Sequence, residues 1–232
     1  MNDLSREALV RMIDHTELRA QAGEKRIAEL CREARDFDFR TVCVNGVHAR
    51  FAAAELEGSG VLVCVVAGFP LGAGTSAAKA FEAGEAVRNG ASEIDMVLNV
   101  GALKDGKHGF VRDDIRAVVE AGRPALVKVI LETCYLTDDE IIAGCRLAVE
   151  AGAGYVKTST GFGPAGALAD HVRLMRRTVG PEIGVKAAGG IRTFDDAWRM
   201  IRAGASRLGM SASVAVVEGL SHYKFEPDDE RS

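Results

Sequence analysis

Three lysines occupy positions where the sequence otherwise predicts buried strands. They lie in the segments L-V-K-V-I, G-Y-V-K-T-S-T-G-F-G and G-V-K-A-A, as Lys128, Lys157 and Lys186, each 29 residues from the next. A repeat of this length is typical of one strand followed by one helix. Lysine is seldom fully buried, because an ammonium ion in apolar surroundings is costly unless it is paired or loses its proton. The pattern therefore predicts a chemical role for these side chains.

A lysine that is partly deprotonated can attack a carbonyl carbon and form an imine. Desolvation and a neighbouring cation both favour the neutral amine, and Lys186 would supply such a cation to Lys157. The imine withdraws electrons from the adjacent carbon, so that a proton or a carbon–carbon bond can be lost there. Asp95 in E-I-D-M-V also interrupts an apolar run, and together with Lys186 it could shuttle protons. Charge alone does not decide which of the two lysines is the nucleophile.

Eight apolar runs alternate with helical patterns along the chain. Runs of Val and Ile without alternation, as in L-V-K-V-I-L, are typical of parallel strands covered on both faces. Between these runs, apolar residues recur every three or four positions, as an amphipathic helix requires. The predicted strands are Ile13–Thr16, Thr41–Val44, Val61–Ala67, Glu93–Leu98, Ala125–Leu131, Tyr155–Ser159, Gly184–Ala187 and Arg207–Gly209.

Signals for helix ends support the same division of the chain. Thr137 with Glu140 forms a capping box, and Thr193 with Asp196 imitates one. Glycines expected to end helices in the left-handed conformation are Gly90, Gly122, Gly152 and Gly204. Eight strand-helix units predict the α/β class and a single (β/α)8 TIM barrel. The alternative is an open doubly wound sheet, but no G-x-G-x-x-G motif follows the first strand.

The barrel is expected to span residues 1–220, with a short amphipathic helix at its N-terminus. The opening M-N-D-L-S-R-E-A-L-V-R-M carries acids early and lacks the apolar centre of a signal peptide. The sequence has no apolar run of about 18 residues, so a membrane is not an expected partner. Residues 221–232, S-H-Y-K-F-E-P-D-D-E-R-S, are predicted to form a flexible polar tail.

Composition narrows the class of ligand. A formal net charge of −4 provides no general basic surface, so a small molecule rather than nucleic acid is the expected partner. The five cysteines are odd in number and lack C-x-x-C spacing, which predicts reduced thiols and a cytoplasmic location. The five histidines show no metal-ligand spacing. Imine chemistry on a lysine needs no added group, so neither a metal nor an organic cofactor is expected.

An ordered set of short segments resembles the deoxyribose-phosphate aldolases. The segments are I-D-H-T, V-C-V-N, G-F-P-L-G, E-I-D-M-V, K-V-I-L-E-T, V-K-T-S-T-G-F and K-A-A-G-G-I-R, and the resemblance covers about residues 10–220. It implies a class I (Schiff-base) aldolase, a carbon–carbon lyase. Such an enzyme cleaves 2-deoxy-D-ribose 5-phosphate reversibly into D-glyceraldehyde 3-phosphate and acetaldehyde. Two other classes stay open, a barrel isomerase that uses acid–base chemistry on a sugar phosphate and a non-catalytic binding protein.

The resemblance also implies roles for individual residues. Lys157 matches the lysine of the V-K-T-S-T-G motif and is expected to form the Schiff base, while Asp95 and Lys186 relay protons. The phosphate is expected at the loops after strands seven and eight, A-G-G-I-R and L-G-M-S-A-S. The residues predicted to bind substrate are Asp14, Thr16, Cys43, Lys128, Thr160, Gly161, Gly189, Gly190, Gly209 and Ser211. Taken singly, the first three are equally well explained by strand-end capping or core packing.

Three positions depart from the pattern of the family, and the first is Gly46 in V-N-G-V-H, where a proline is expected after the asparagine. A second serine is expected after Ser211, but Ala212 follows, which removes one hydroxyl from the phosphate loop. In D-H-T-E-L, Glu17 stands where an apolar residue is usual. Backbone N–H groups of the loop remain, so we expect phosphate binding to be weakened rather than lost. A homodimer is one assembly that the sequence leaves open.

Overall fold

Eight parallel strands form the centre of the molecule in a computed structural model that describes residues 4–223. Each strand pairs with the next along the chain, and the last pairs with the first, so that the sheet closes into a barrel. The strands are β1 (Ile13–Glu17), β2 (Thr41–Val44), β3 (Leu62–Ala67), β4 (Glu93–Val97), β5 (Leu126–Ile130), β6 (Tyr155–Lys157), β7 (Gly184–Ala188) and β8 (Arg207–Met210). This closure confirms the predicted TIM barrel and excludes the open doubly wound sheet.

Helices surround the barrel and connect its strands. They are α1 (Arg6–Val10), α2 (Glu24–Phe37), α3 (Ala49–Glu55), α4 (Ser76–Arg88), α5 (Val100–Lys104), α6 (His108–Ala121), α7 (Asp138–Glu150), α8 (Ala169–Val179), α9 (Phe194–Arg202) and α10 (Ser213–Leu220). The predicted N-terminal helix corresponds to α1. Within residues 4–223, no helix combines the length and the apolar character needed to cross a membrane. Residues 224–232, most of the predicted polar tail, lie outside the described residues.

The main hydrophobic core lies between the barrel and its helices. Helix α2 shows how the sequence produces it, since Ile27, Leu30, Cys31 and Ala34 recur at helical spacing and are all buried. The outward-facing side chains of the strands, such as Ile94 of β4, complete the same cluster. The apolar side chains therefore hold the helices against the outer face of the barrel and leave its interior to other residues.

Both predicted capping boxes are present. The Thr137 hydroxyl accepts from the Glu140 backbone N–H at the start of α7, and the glutamate side chain accepts from the Thr137 backbone. The pair of Thr193 and Asp196 does the same for α9. Each box satisfies backbone donors that the first helical turn leaves free.

The prediction for the helix-ending glycines is correct at three positions and wrong at one. Gly90, Gly152 and Gly204 have φ values of 98°, 90° and 106°, in the left-handed region. Gly122 has φ −82°, which any residue adopts. A Cβ atom there would lie 2.8 Å from Cδ1 of Ile94. Gly122 is therefore explained by close packing of α6 on the barrel rather than by backbone handedness.

The sixth strand ends two residues before the predicted Ser159. After Lys157 the backbone N–H of Thr158 still donates to the carbonyl of Lys186, at 3.0 Å. The Thr158 hydroxyl then donates to the carbonyl of Ala188 at 3.2 Å and accepts from its N–H at 3.1 Å. Side-chain hydrogen bonds thus replace the regular ladder and tie the loop after β6 to β7. The other strand ends differ from the predicted ones by no more than one residue.

The barrel interior is built from layers of side chains. Side chains two residues apart on a strand face the same side, and each layer of a TIM barrel takes its side chains from alternate strands. The strand register places Thr41, Glu93, Tyr155 and Arg207 in the lowest layer, Asp14, Cys64, Lys128 and Lys186 in the next, and Cys43, Asp95, Lys157 and Gly209 above them. Charged residues thus take positions that branched apolar side chains fill in most barrels of this kind.

Candidate active site

Asp95 of β4 is the centre of the charged interior. Its Oδ2 atom accepts from Nζ of Lys157 and from Nζ of Lys186, each at 2.7 Å. Its Oδ1 atom accepts from Nζ of Lys128 at 2.8 Å. Strands β5, β6 and β7 carry the three lysines, so the 29-residue repeat in the sequence becomes three ammonium groups around one carboxylate.

A second set of charges lies next to Asp95. Lys186 Nζ also donates to Asp14 of β1, and Lys128 Nζ lies 2.6 Å from Glu93 Oε2. Arg207 of β8 donates from Nη1 to Asp14 Oδ1 at 2.7 Å and to Glu93 Oε2 at 3.1 Å. Sequence reasoning missed Glu93 and Arg207. The available signal was that each is a charged residue at the start of a predicted strand.

We call the seven residues of this network the ionic core, and attraction between opposite charges shifts the pKa values of several of them. Its members are Asp14, Glu93, Asp95, Lys128, Lys157, Lys186 and Arg207. Burial alone raises the pKa of Asp95, but the ammonium groups of Lys128, Lys157 and Lys186 outweigh burial and hold that pKa well below its ordinary value. The pKa of Asp14 is lowered in the same way, chiefly by Lys186 acting against burial.

Lys128 and Lys186 show the converse effect. Burial lowers the pKa of Lys128, but the nearby carboxylates, with Asp95 foremost, raise it well above the ordinary lysine value. Asp14 and Asp95 raise the pKa of Lys186 against the same effect of burial. Both residues therefore remain ammonium ions near neutral pH. The ionic core has four cationic side chains and three carboxylates, so its charges balance when one amine is neutral.

Lys157 is the member of the ionic core that reaches a cavity. The cavity has a volume of about 480 Å³ and lies at the C-terminal ends of β1, β6, β7 and β8, the usual place for the active site of a TIM barrel. Its lining includes eight predicted site residues, namely Thr16, Lys157, Thr160, Gly161, Gly189, Gly190, Gly209 and Ser211. A nucleophile at Lys157 can thus meet a small substrate while its charge partners stay below.

The remaining predicted residues lie beneath the cavity. Asp95 and Lys186 are fully buried. Asp95 Oδ2 accepts hydrogen bonds from Lys186 and from Lys157, so Lys157 is their link to the cavity. Asp14, Cys43 and Lys128 were predicted to bind substrate, yet they are also fully buried and are not part of the cavity lining. The structure therefore separates residues that line the cavity from residues buried beneath it, a distinction that spacing along the chain did not provide.

Two glycines shape the cavity floor and wall. A Cβ atom on Gly209 would lie 2.8 Å from Cε of Lys186, so glycine leaves room for that lysine to reach Asp14 and Asp95. Gly189 has φ 88°, and its carbonyl accepts from the N–H of Ala167 at 3.0 Å. The first glycine is required by packing and the second by backbone conformation.

The loop after β6 is held by a residue that the sequence analysis did not single out. Glu132 follows β5, has φ 56° and is buried, and its carboxylate accepts from the backbone N–H of Thr160 at 3.2 Å. It also accepts from the Thr160 hydroxyl. Phe162 of the same loop packs edge-on against Phe69, with ring centroids 5.3 Å apart, and lines the cavity. This loop therefore positions both a polar and an apolar part of the wall.

Two cysteines border the ionic core. Cys43 of β2 and Cys64 of β3 lie side by side in the strand register as free thiols. Cys64 Sγ donates to Asp95 Oδ1 at 3.2 Å. A hydrogen bond from Cys64 lowers the pKa of Cys43, whereas burial raises that of Cys64 well above its ordinary value. Among the described residues these thiols, with Asp95, have ligand atoms within 4.8 Å of one another, and so do Asp14, Cys64 and Glu93. Three buried ammonium groups already provide the positive charge that a metal would bring to these carboxylates.

The fold and the site together define a (β/α)8-barrel protein whose cavity-facing lysine is hydrogen-bonded to a buried carboxylate. This arrangement is suited to imine chemistry on a carbonyl substrate. A family model described as DeoC/LacD family aldolase matches residues 9–219. The chain belongs to this family.

Individual relatives agree with this placement. The chain is 56% identical over 211 residues to the deoxyribose-phosphate aldolase of Lysinibacillus sphaericus, covering 90% of this chain and 95% of that protein. The deoxyribose-phosphate aldolase of Streptococcus sanguinis is also 56% identical over 211 residues, with 91% and 96% covered. The solved structure of a tetrameric deoxyribose phosphate aldolase from Aeropyrum pernix superposes with a TM-score of 0.87 at 34% identity, covering 94% of this chain and 92% of that one.

Proposed function

We propose that this protein is a class I aldolase that reversibly cleaves 2-deoxy-D-ribose 5-phosphate into D-glyceraldehyde 3-phosphate and acetaldehyde. The observation that carries the proposal is the position of Lys157, whose amine lies between the cavity and Asp95. The names of the bacterial relatives support the choice of substrate. We also propose that residues 1–220 form the catalytic domain.

The proposed reaction begins at the amine of Lys157. Its nitrogen attacks C1 of the open-chain sugar, and loss of water gives a protonated imine. The C2–C3 bond then breaks, its electrons form an enamine, and the C3 hydroxyl loses its proton as glyceraldehyde 3-phosphate departs. A proton added at C2 and hydrolysis by one water release acetaldehyde and restore the amine.

Asp95 and Lys186 are proposed to move the protons in these steps. Asp95 Oδ2 accepts hydrogen bonds from both amines, so a proton can pass between Lys157 and Lys186 through one carboxylate oxygen. Asp14, Cys43 and Lys128 are proposed to support this relay from below, since they lie under the cavity. Their charges and hydrogen bonds keep Asp95 ionised and oriented.

The phosphate end of the substrate is proposed to bind at the ends of β7 and β8. Gly189, Gly190 and Ser211 line the cavity there and provide backbone N–H groups and one hydroxyl. Arg192 lines the same region, and its guanidinium has no hydrogen-bond partner within residues 4–223, which leaves it free for an anion. Thr160, Gly161 and Thr16 line the same cavity and are proposed to contact the sugar.

We further propose a cytoplasmic location and a small-molecule substrate as the sole ligand class. All five cysteines are free, which supports a reducing compartment. A homodimer stays a prediction, and sedimentation at several protein concentrations would test it. The tetrameric assembly in the name of the Aeropyrum pernix structure belongs to that protein.

Trapping of the imine tests the proposed function directly. The protein is incubated with acetaldehyde, reduced with borohydride and digested, and we expect a two-carbon adduct on the peptide that contains Lys157. Lys157→Ala should abolish both the adduct and cleavage of deoxyribose 5-phosphate, because no other amine lines the cavity floor among the described residues.

Lys104→Ala is the matched control, since Lys104 is a half-exposed lysine of α5 outside the site. This variant should retain the adduct and the activity. An adduct on Lys128 or Lys186 would overturn the assignment of the nucleophile. Turnover of a sugar phosphate without any adduct would instead favour the acid–base isomerase.

A further inference from the structure

The unexpected Glu17 lies at the cavity and holds two arginines. It ends β1, is only 4% exposed and lines the cavity. Its Oε1 atom accepts from Nε of Arg19 at 2.9 Å and from the Arg19 backbone N–H at 3.1 Å, and Oε2 accepts from Nη2 of Arg19. Nε of Arg26 donates to Oε2 at 3.3 Å. A buried carboxylate here is therefore explained by its pairing with guanidinium groups.

Two of the three departures from the family pattern, Glu17 and Ala212, lie at the C-terminal ends of neighbouring strands. Strand β1 pairs with β8, and the register sets His15 beside Met210. Ser211, which directly precedes Ala212 in the chain, lines the same cavity as Glu17. The extra carboxylate of Glu17 thus lies at the cavity, on the strand that neighbours β8, and the loop after β8 is the one that lacks a hydroxyl.

The two arginines differ in their free donors. Arg26 gives Nε to Glu17, Nη1 to Glu29 and Nη2 to Glu33, so carboxylates engage each nitrogen of its guanidinium group. Arg19 gives only Nε and Nη2 to Glu17, and within residues 4–223 its Nη1 has no protein acceptor. Its side chain is 62% exposed and lines the cavity that also contains Ser211.

We propose that Arg19, positioned by Glu17, binds the substrate phosphate and takes the place of the hydroxyl that is lost at Ala212. The inference rests on the proposed function and adds a specificity-determining residue to it. Five ionisable groups line the cavity, Glu17, Arg19, Arg26, Lys157 and Arg192, so positive charge prevails where a phosphate dianion binds. Arg19 and Arg192 then approach the phosphate from β1 and from the loop after β7.

The test compares deoxyribose 5-phosphate with unphosphorylated 2-deoxyribose. For Arg19→Met we expect KM for the phosphorylated sugar to rise about tenfold, equivalent to about 1.4 kcal/mol, with kcat nearly unchanged. The kcat/KM for deoxyribose should stay within about twofold, because no phosphate is present. Arg19→Lys should retain part of the affinity, and raising the salt concentration should reduce the difference between parent and Arg19→Met.

A double variant examines whether Arg19 and position 212 act on the same phosphate. Ala212→Ser should lower KM for the phosphorylated sugar more strongly in Arg19→Met than in the parent, since the restored hydroxyl then has no competing donor. Arg116→Met is the matched control, because Arg116 is a half-exposed arginine paired with Asp113 at a different cavity. It should leave both sugars unaffected.

The outcomes separate this inference from the proposed function. If the parent cleaves both sugars and Arg19→Met changes neither, or changes both equally, Arg19 does not contact the phosphate. If the parent forms no imine and cleaves neither sugar, the aldolase proposal itself fails. Circular dichroism and urea unfolding of Arg19→Met exclude a folding defect as the cause of a raised KM.

Discussion

At the scale of single residues, the site depends on one carboxylate shared by two amines. Asp95 Oδ2 lies 2.7 Å from both Lys157 and Lys186, and only the first of these lysines lines the cavity. The two amines therefore have different environments although their sequence contexts are alike. Access to substrate makes Lys157 the proposed nucleophile, while two carboxylate partners raise the pKa of Lys186 against the effect of burial and keep it charged.

Lys186→Met tests this division of roles. We expect kcat to fall by about 10²- to 10⁴-fold, the range for loss of a general acid–base group. Removal of the neighbouring cation also favours the protonated amine at Lys157, so imine formation should become slower and shift to higher pH. Rapid-mixing measurement of imine formation from pH 6 to 9, with parent and variant, provides the comparison. An unchanged rate and pH dependence would show that Lys186 serves only as a relay.

At the scale of elements, a second buried ion pair ties the helices to the strand that carries Asp95. Lys79 of α4 donates to Asp114 Oδ2 of α6 at 2.7 Å and to the carbonyl of Val97, at the end of β4, at 3.0 Å. Lys79 and Asp114 are each 1% exposed. The ammonium group of Lys79 thus joins α4, α6 and the end of β4, two residues beyond Asp95.

Lys79→Met should destabilise the protein strongly, because it leaves the Asp114 carboxylate buried and unpaired. We expect a loss of about 3 to 5 kcal/mol in the free energy of unfolding. The double variant Lys79→Met/Asp114→Leu should recover much of this loss, since an apolar pair removes the uncompensated charge. Urea unfolding of both variants, with Lys104→Met as an exposed control, measures the difference. A loss below about 1 kcal/mol in the free energy of unfolding of the single variant would contradict a stabilising role for this buried ion pair.

At the scale of the whole molecule, the barrel interior is held by charge and its exterior by apolar packing. The pKa values of Asp14 and Asp95 are lowered in the folded state, chiefly because nearby ammonium groups outweigh burial. As the pH falls, the unfolded chain therefore binds protons before these two groups do. Their contribution to stability is complete above the ordinary aspartate pKa of about 3.9 and is lost as the pH falls towards their folded-state values.

Asp14→Asn should accordingly change how stability depends on pH. Below about pH 4, the free energy of unfolding should fall less steeply with pH than in the parent, by up to about 1.4 kcal/mol per pH unit, the slope for one proton. Near neutral pH the variant should be less stable, since Lys186 and Arg207 lose a partner. Urea unfolding from pH 7 to 3 gives both quantities. Asp113→Asn, which alters an exposed carboxylate, should keep the slope of the parent, and equal slopes for all three proteins would refute the argument.

The sequence by itself determined the barrel and the chemical type of the site. Alternating strand and helix patterns are local, so eight units, their order and most strand ends could be predicted to within one residue. A charge inside an apolar run is also a local signal, and it made Asp95, Lys157 and Lys186 candidate site residues before any contact was known. The prediction of a left-handed helix end at Gly122 was wrong. Glycine is needed there because α6 packs closely against Ile94, a residue distant along the chain.

Tertiary structure alone decided which residues meet. Closure of β8 on β1 brings Arg207 to Asp14, 193 residues apart, and sets His15 beside Met210. Closure also places Lys128 below the cavity and Lys157 at its floor, although both follow a valine in a strand. The physical reason is that the height of a side chain in the barrel depends on strand register and tilt. Register is a relation between strands, and no single segment of the sequence contains it.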